Sequence, residues 1–220
     1  MPLFLIRHGE SEGNALRVVQ GQGGDYALTA RGREQAQSVG KLLDSLPVIS
    51  LFASPLRRAR ETAELIVASL TKSISEDSSN SFLSFDRRLM EYDFGEMTGT
   101  PFKDLPEDYM DFWRDNRPEP PGAEGSDKFR ERVDAATTEY LRIVREAGPD
   151  SICVAVTHGG VIDAICSSVM GLPAEKFGVF RTSNCAVTEL EELRGQITIT
   201  RHCLLSTSDA ADERSSVDLG

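Results

Sequence analysis

The chain has 220 residues with 35 acidic against 24 basic side chains, a formal net charge of −11, and 40% hydrophobic residues. That balance argues against nucleic acid and anionic membrane as partners, since both need a basic footprint. The length suffices for one sizeable core, and an anionic small molecule stays compatible if a local positive cluster opposes the global field.

In chain order, the apolar run "PLFLI" predicts a buried strand over 2–6 and is too short for a signal-peptide core or a membrane span, so a cytoplasmic protein is expected. Ala36, Val39, Leu43 and Leu46 recur at helical spacing after Thr29. "VISLFA" (48–53) predicts a second buried strand, with Ser54 as cap and Pro55 in the first turn of a helix carrying Ala59, Ala63, Ile66 and Leu70. The Ser-rich "TKSISEDSSNS" (71–81) reads as loop. Residues 97–125 mix proline, glycine, aromatic and acidic residues without period and predict a lid-like excursion over one end of the sheet.

Phe129, Val133, Ala136, Tyr140 and Val144 predict a further helix after Ser126, and "SICVAV" (151–156) a third buried strand. "CAVTELEELRGQITITRH" alternates on both sides of Arg194 and Gly195, as an edge hairpin would. "STSDAADERSSVDLG" (206–220) is a polar tail. Cys153, Cys166, Cys185 and Cys203 form no CxxC pair and read as reduced thiols rather than bridges or zinc ligands. The expected fold is α/β, one domain over 1–203 with a mixed, mostly parallel sheet, followed by the tail at 204–220.

In open α/β sheets, ligands bind beyond the carboxyl ends of the strands. His8 and His158 both follow such ends, and each precedes a glycine, in "RHG" and "THGG", where a missing side chain lets a ligand near the backbone. Arg58 belongs to the first turn after the second strand, at the same end; arginine forks match phosphate oxygens and helix N-termini aim N–H groups at an anion. Glu91, in "RLMEYDFGEMTG", follows a strand and precedes a glycine-punctuated turn. A carboxyl group placed over the site could protonate a leaving alkoxide. Taken singly, these are a turn histidine, a solvated helix arginine and a surface glutamate; their convergence is what carries weight. The glycine-rich "QGQGGD" (20–25) lacks a following GK[ST] and is no P-loop.

At these positions the chain resembles the histidine phosphatase superfamily, in its phosphoglycerate-mutase-like branch. The likeness runs through "LIRHGESEGN", "LTARGREQA", "SPLRRARETA", "RLMEYDFGEMTG", "PGAEGSDKFRERV", "VTHGG" and "NCAVTELE", from residue 3 to about 191. It implies a phosphoglycerate mutase-like three-layer sandwich with helices on both faces of the sheet. It implies too that His8 is a nucleophile forming a phosphohistidine, that Arg7, Arg58 and His158 bind the transferred phosphoryl group, and that Glu91 is general acid and base. Asn14 matches a phosphate-contacting position, and Gly21 and Gly159 are expected beside the substrate. Two arginines and a second histidine then provide the positive charge without metal or cofactor.

The chain departs from the resemblance at Gly13 and at Met97 and Thr98, positions expected to shape the pocket wall. The expected function is a metal-independent phosphatase acting on a small phosphorylated metabolite. The alternative is a cofactor-dependent phosphoglycerate mutase, which usually carries a longer, basic insertion where this chain has a short acidic one. A non-catalytic phosphate-binding protein is a third reading. Sugar phosphates, phosphoglycerates, phosphoserine and nucleotide-precursor phosphates all stay open as substrates, as does the oligomeric state.

Overall fold

The three apolar runs become the interior of a six-stranded sheet: β1 (Pro2–Arg7), β2 (Val48–Ala53), β3 (Leu83–Phe85), β4 (Ile152–Thr157), β5 (Val187–Leu193) and β6 (Gln196–Leu204). The computed structural model describes residues 2–70, 82–105, 118–174, 176 and 178–204, with the backbone alone at 203 and 204. The strand order is β3-β2-β4-β1-β5-β6. The first four in that order run parallel, and the β5–β6 hairpin adds antiparallel to β1. Its turn holds Arg194 at φ 53° and Gly195 at φ 79°. Two successive left-handed residues match the twist of a tight hairpin.

Helix α1 (Glu12–Ala15) is a single turn, whereas α2 (Ala30–Leu43), α3 (Arg57–Ser69), α4 (Ser126–Ala147) and α5 (Gly159–Val169) form the outer layers. Alternation along the strands divides the core in two. Leu3, Leu5, Cys153 and Ala155 pack with Phe129, Val133, Tyr140 and Ile165 of α4 and α5. Ile6, Val154 and Val156 pack with Ala36, Val39, Ala63 and Ile66 of α2 and α3. All six residues of β4 are buried, which is why its sequence reads as a continuous apolar run rather than an alternating one. The expected three-layer architecture is therefore the observed one.

Two local expectations need correction. Helix α3 starts at Arg57 after Leu56, with no side-chain cap; Ser54 instead accepts the Leu56 N–H at 3.3 Å and lies 2.8 Å from Nε2 of His158. Ser54 is thus drawn into the site, and Pro55 stays outside the helix. The glycine of "RHG" serves packing rather than ligand approach. A methyl group on Gly9 would lie 2.4 Å from the carbonyl oxygen of Gly32, and one on Gly32 would lie 2.0 Å from that of Glu10. The first turn of α2 rests directly on the loop that follows β1.

The Ser-rich 71–81 stretch, residues 106–117 of the expected lid and the tail from 205 onward lie outside the described residues. Cys153, Cys166 and Cys185 are buried thiols. Among the described residues, no helix is long and apolar enough to cross a membrane.

Candidate active site

The strand register brings the candidate residues to one edge. Arg7 pairs with Thr157, and Val156 aligns with both Ile6 and Ala53, so the next residues, His8, His158 and Ser54, leave the sheet side by side. From β1 the chain crosses toward β2, and from β4 toward β5 on the opposite side. A crevice opens where the two connections part. His8 is 3% exposed and His158 fully buried, with ring centroids 5.2 Å apart and planes tilted by 59°.

The surroundings of His8 select one tautomer. Its Nδ1 lies 2.7 Å from the Gly9 carbonyl oxygen, which can only accept, so Nδ1 carries the proton. Nε2 is then a bare lone pair, and Arg58 Nε donates to it at 3.2 Å. Burial, followed by the charges of Arg58 and Arg7, holds the imidazole well below its ordinary range, so the ring is neutral. His158 is held low by burial first and by Arg58 next. Its Nδ1 is buried and makes no hydrogen bond among the described residues.

Arg58 reaches the floor from the first turn of α3 and also donates from Nη2 to the Gly21 carbonyl at 2.8 Å. Burial brings its pKa down to about 10, which leaves the guanidinium charged at neutral pH. Gly21 takes a positive φ of 50°, and a methyl group there would meet Phe94 and Tyr92 at 3.0 Å. Arg7, at the end of β1, donates to the carbonyl of Thr182. At Gly159 there is room to spare: a methyl group would stand 3.6 Å from Arg7 Nε, an ordinary contact distance. Asn14 commits its amide oxygen to the Ser11 backbone and hydroxyl and to Asn184. Its NH₂ is the end left for the cavity.

Glu91 faces this floor from the other side. Its Oε2 accepts the Gly160 N–H at 3.0 Å and Oε1 accepts the Tyr92 N–H at 2.9 Å. The Glu91 side chain is thus anchored by backbone N–H groups at the N-terminus of α5 and beside Tyr92.

These groups open into a cavity of about 440 Å³ whose floor includes Arg7, His8, Asn14, Gly21, Arg58, Glu91 and Gly159. His158 lies beneath that floor and does not line it. Val18, Val19, Phe94, Phe102 and Phe180 form apolar walls, and polar Gln20, Asp163, Arg181 and Thr182 also line the cavity. The sequence motifs point to the floor but miss much of the wall. The 178–182 segment carries no motif; it is held by Asp163, whose carboxylate accepts from Gly178 N at 2.8 Å and Phe180 N at 2.5 Å. Asn184, which donates to the His8 carbonyl at 2.9 Å, is visible in the sequence only as part of "NCAVTELE". Of the departures, Gly13 acts indirectly: a methyl group there would meet the Gln20 side chain at 2.5 Å, so the glycine makes room for a residue that does line the cavity. Met97 and Thr98 do not line it, contrary to expectation; Thr98 packs on Gly23 instead.

Two arginines and two histidines at the carboxyl edge of a mixed α/β sheet, faced by a carboxylate, define a protein built around a phosphoryl group. The chain belongs to the histidine phosphatase superfamily, branch 1, whose family model matches residues 3–204. It is 31% identical over 204 residues to the probable phosphoglycerate mutase GpmB of Salmonella choleraesuis (strain SC-B67), covering 89% of this chain and 87% of that one. Among solved structures, a mycobacterial glucosyl-3-phosphoglycerate phosphatase in complex with VO3 superposes with a TM-score of 0.78 at 25% identity, over 92% of this chain and 98% of the other. The α-ribazole phosphatase of Shigella flexneri gives 0.74 at 27% identity, over 93% and 96%.

Proposed function

We propose that the protein is a phosphatase that hydrolyses a small phosphorylated metabolite through a phosphohistidine on His8 and needs no metal. The observation that carries this reading is the unprotonated Nε2 of a neutral, buried imidazole, which accepts from Arg58 while the other nitrogen is tied to the Gly9 carbonyl. Such a ring is a nucleophile at neutral pH without prior deprotonation. Nε2 attacks phosphorus, a P–N bond forms as the ester P–O bond breaks, and the Glu91 carboxyl group gives its proton to the departing oxygen. Water then loses a proton to Glu91 and attacks phosphorus, and the P–N bond breaks. Inorganic phosphate leaves and the neutral imidazole returns. Charge on the phosphoryl oxygens is met by Arg7 and Arg58 on the floor, with His158 packed beneath them against His8, the task a metal performs elsewhere.

Hydrolysis is favoured over mutase chemistry by the cavity walls. A mutase must hold a polyanionic phosphoglycerate in two orientations, whereas among the described residues beyond the floor Arg181 is the one cation lining the cavity, beside Val18, Val19, Phe94, Phe102 and Phe180. The test is phosphate release from sugar phosphates, phosphoserine, nucleotide-precursor phosphates and 3-phosphoglycerate, run in excess chelator with 3-phosphoglycerate isomerisation followed alongside. Release from at least one ester, unchanged by the chelator, is expected. Isomerisation without release would make the protein a mutase, and activity that only Mg²⁺ or Zn²⁺ restores would overturn the metal-free site. Tight ester binding without any turnover would mark a non-catalytic phosphate-binding protein.

A further inference from the structure

Glu91 belongs to a stretch, residues 88–93, that leaves a single 3-10 turn (Arg87–Leu89) and joins no strand ladder, so much of its backbone must find partners elsewhere. Three of its carbonyls turn to one side chain. Arg132, on α4, donates from Nη1 to Arg88 O and Met90 O at 2.7 Å each and from Nη2 to Glu91 O at 3.0 Å. The remaining N–H groups go to Glu124, Nε to Oε2 at 2.9 Å and Nη2 to Oε1 at 2.7 Å. A guanidinium offers five N–H donors in one rigid plane, and here each has an acceptor. Glu124 closes the ring of contacts: its Oε1 also accepts from Asp93 N at 2.9 Å and from Gln22 Nε2 at 3.4 Å. Beneath the guanidinium lies the Phe129 ring, 4.8 Å from centroid to Cζ. The two charged side chains are only 19% and 17% exposed, which keeps solvent from competing.

We infer that Arg132, braced by Glu124, is a positioning residue that fixes the backbone beneath Glu91 so that its carboxyl group meets the leaving oxygen of the ester. This rests on the reading of Glu91 as proton donor. Lysine cannot replace the fork, because three donors on a flexible stem cannot serve three carbonyls and a bidentate carboxylate together. A carboxyl group displaced by about 1 Å loses on the order of 10²-fold in rate.

The experiment compares kcat/KM for a simple alkyl phosphate and for p-nitrophenyl phosphate, since this ratio reports the steps up to departure of the leaving group. An alkoxide must be protonated as it leaves; nitrophenolate need not be. Glu91→Gln should slow the alkyl ester by ~10²–10⁴-fold and the aryl ester far less. Arg132→Lys should slow the alkyl ester by ~10–100-fold and the aryl ester by under about threefold. Placed in the Glu91→Gln background, Arg132→Lys should cost nothing further on the alkyl ester, because its effect passes through the missing carboxyl group. Glu124→Gln should show the same pattern and serves as the readout if Arg132→Lys does not fold.

Equal slowing of both esters by these variants, or an undiminished effect in the Glu91→Gln background, would overturn the inference and leave Arg132 a residue of stability alone. The two failures are distinct. If Glu91→Gln does not separate the esters, the reading of Glu91 falls; if it does and neither Arg132→Lys nor Glu124→Gln follows, only the positioning role falls.

Discussion

Nε2 of His8, the proposed nucleophile, is defined by two neighbours that act on opposite sides of the ring. The Gly9 carbonyl can only accept and Arg58 Nε can only donate, so the chemistry of the two neighbours fixes the Nδ1–H tautomer. The sign of the pH effect follows. Burial first, then Arg58 and Arg7, lowers the imidazole pKa, so the neutral form persists through the neutral range and protonation sets in only as pH falls well below the ordinary value of about 6.5. An NMR titration of the His8 ring should show this in the wild type, and Arg58→Gln should move the midpoint upward by removing the nearest positive charge. A wild-type ring that titrates at or above about 6.5 would contradict the description of the nucleophile.

Helix α2 illustrates how an element far from the chemistry sets the site. Its first turn is capped by Thr29, whose Oγ1 accepts the Gly32 N–H at 3.0 Å, and Gly32 lets that turn lie against the Glu10 carbonyl. Gly32→Ala forces a methyl group to 2.0 Å from that oxygen. The helix or the loop after His8 must shift, at a cost of ~1–3 kcal/mol or more. Denaturant unfolding of Gly32→Ala should therefore show a clear loss of stability, whereas Gly159→Ala, where the nearest atom stands at 3.6 Å, should lose much less. Equal effects would contradict the packing argument. This contact also marks the limit of what the sequence makes legible. Strands and helices are legible because their apolar periods survive in the chain: β2 spans the predicted 48–53, and the hairpin turns at Arg194 and Gly195. The floor is legible because RHG and THGG follow strands. What a glycine touches, or that Ser54 partners His158 rather than capping α3, depends on contacts between residues distant in sequence. So does the convergence of Arg132 on three carbonyls, and no period or motif encodes it.

Across the whole molecule, the sequence carries a formal charge of −11, whereas the cavity floor carries Arg7 and Arg58. The net charge disfavours polyanions in general, while the crevice beyond β1 and β4 offers an anion fixed positive donors, of which Arg58 is buried, where electrostatic interactions are stronger. Three segments of the chain share the proposed chemistry: the loop after β1 brings His8, the start of α3 Arg58, and the 88–93 stretch Glu91. We propose that they act on a phosphorus atom bonded, for part of each cycle, to Nε2 of His8. The most direct measurement is rapid quench of the wild-type protein with a radiolabelled aryl phosphate into alkali, followed by peptide mapping, with Glu91→Gln, which still forms the P–N bond from an aryl ester, used to slow release of the label. An acid-labile phosphoramidate on His8, absent from His8→Ala, is expected. Label on His158, serine or aspartate would contradict it, as would full turnover by His8→Ala.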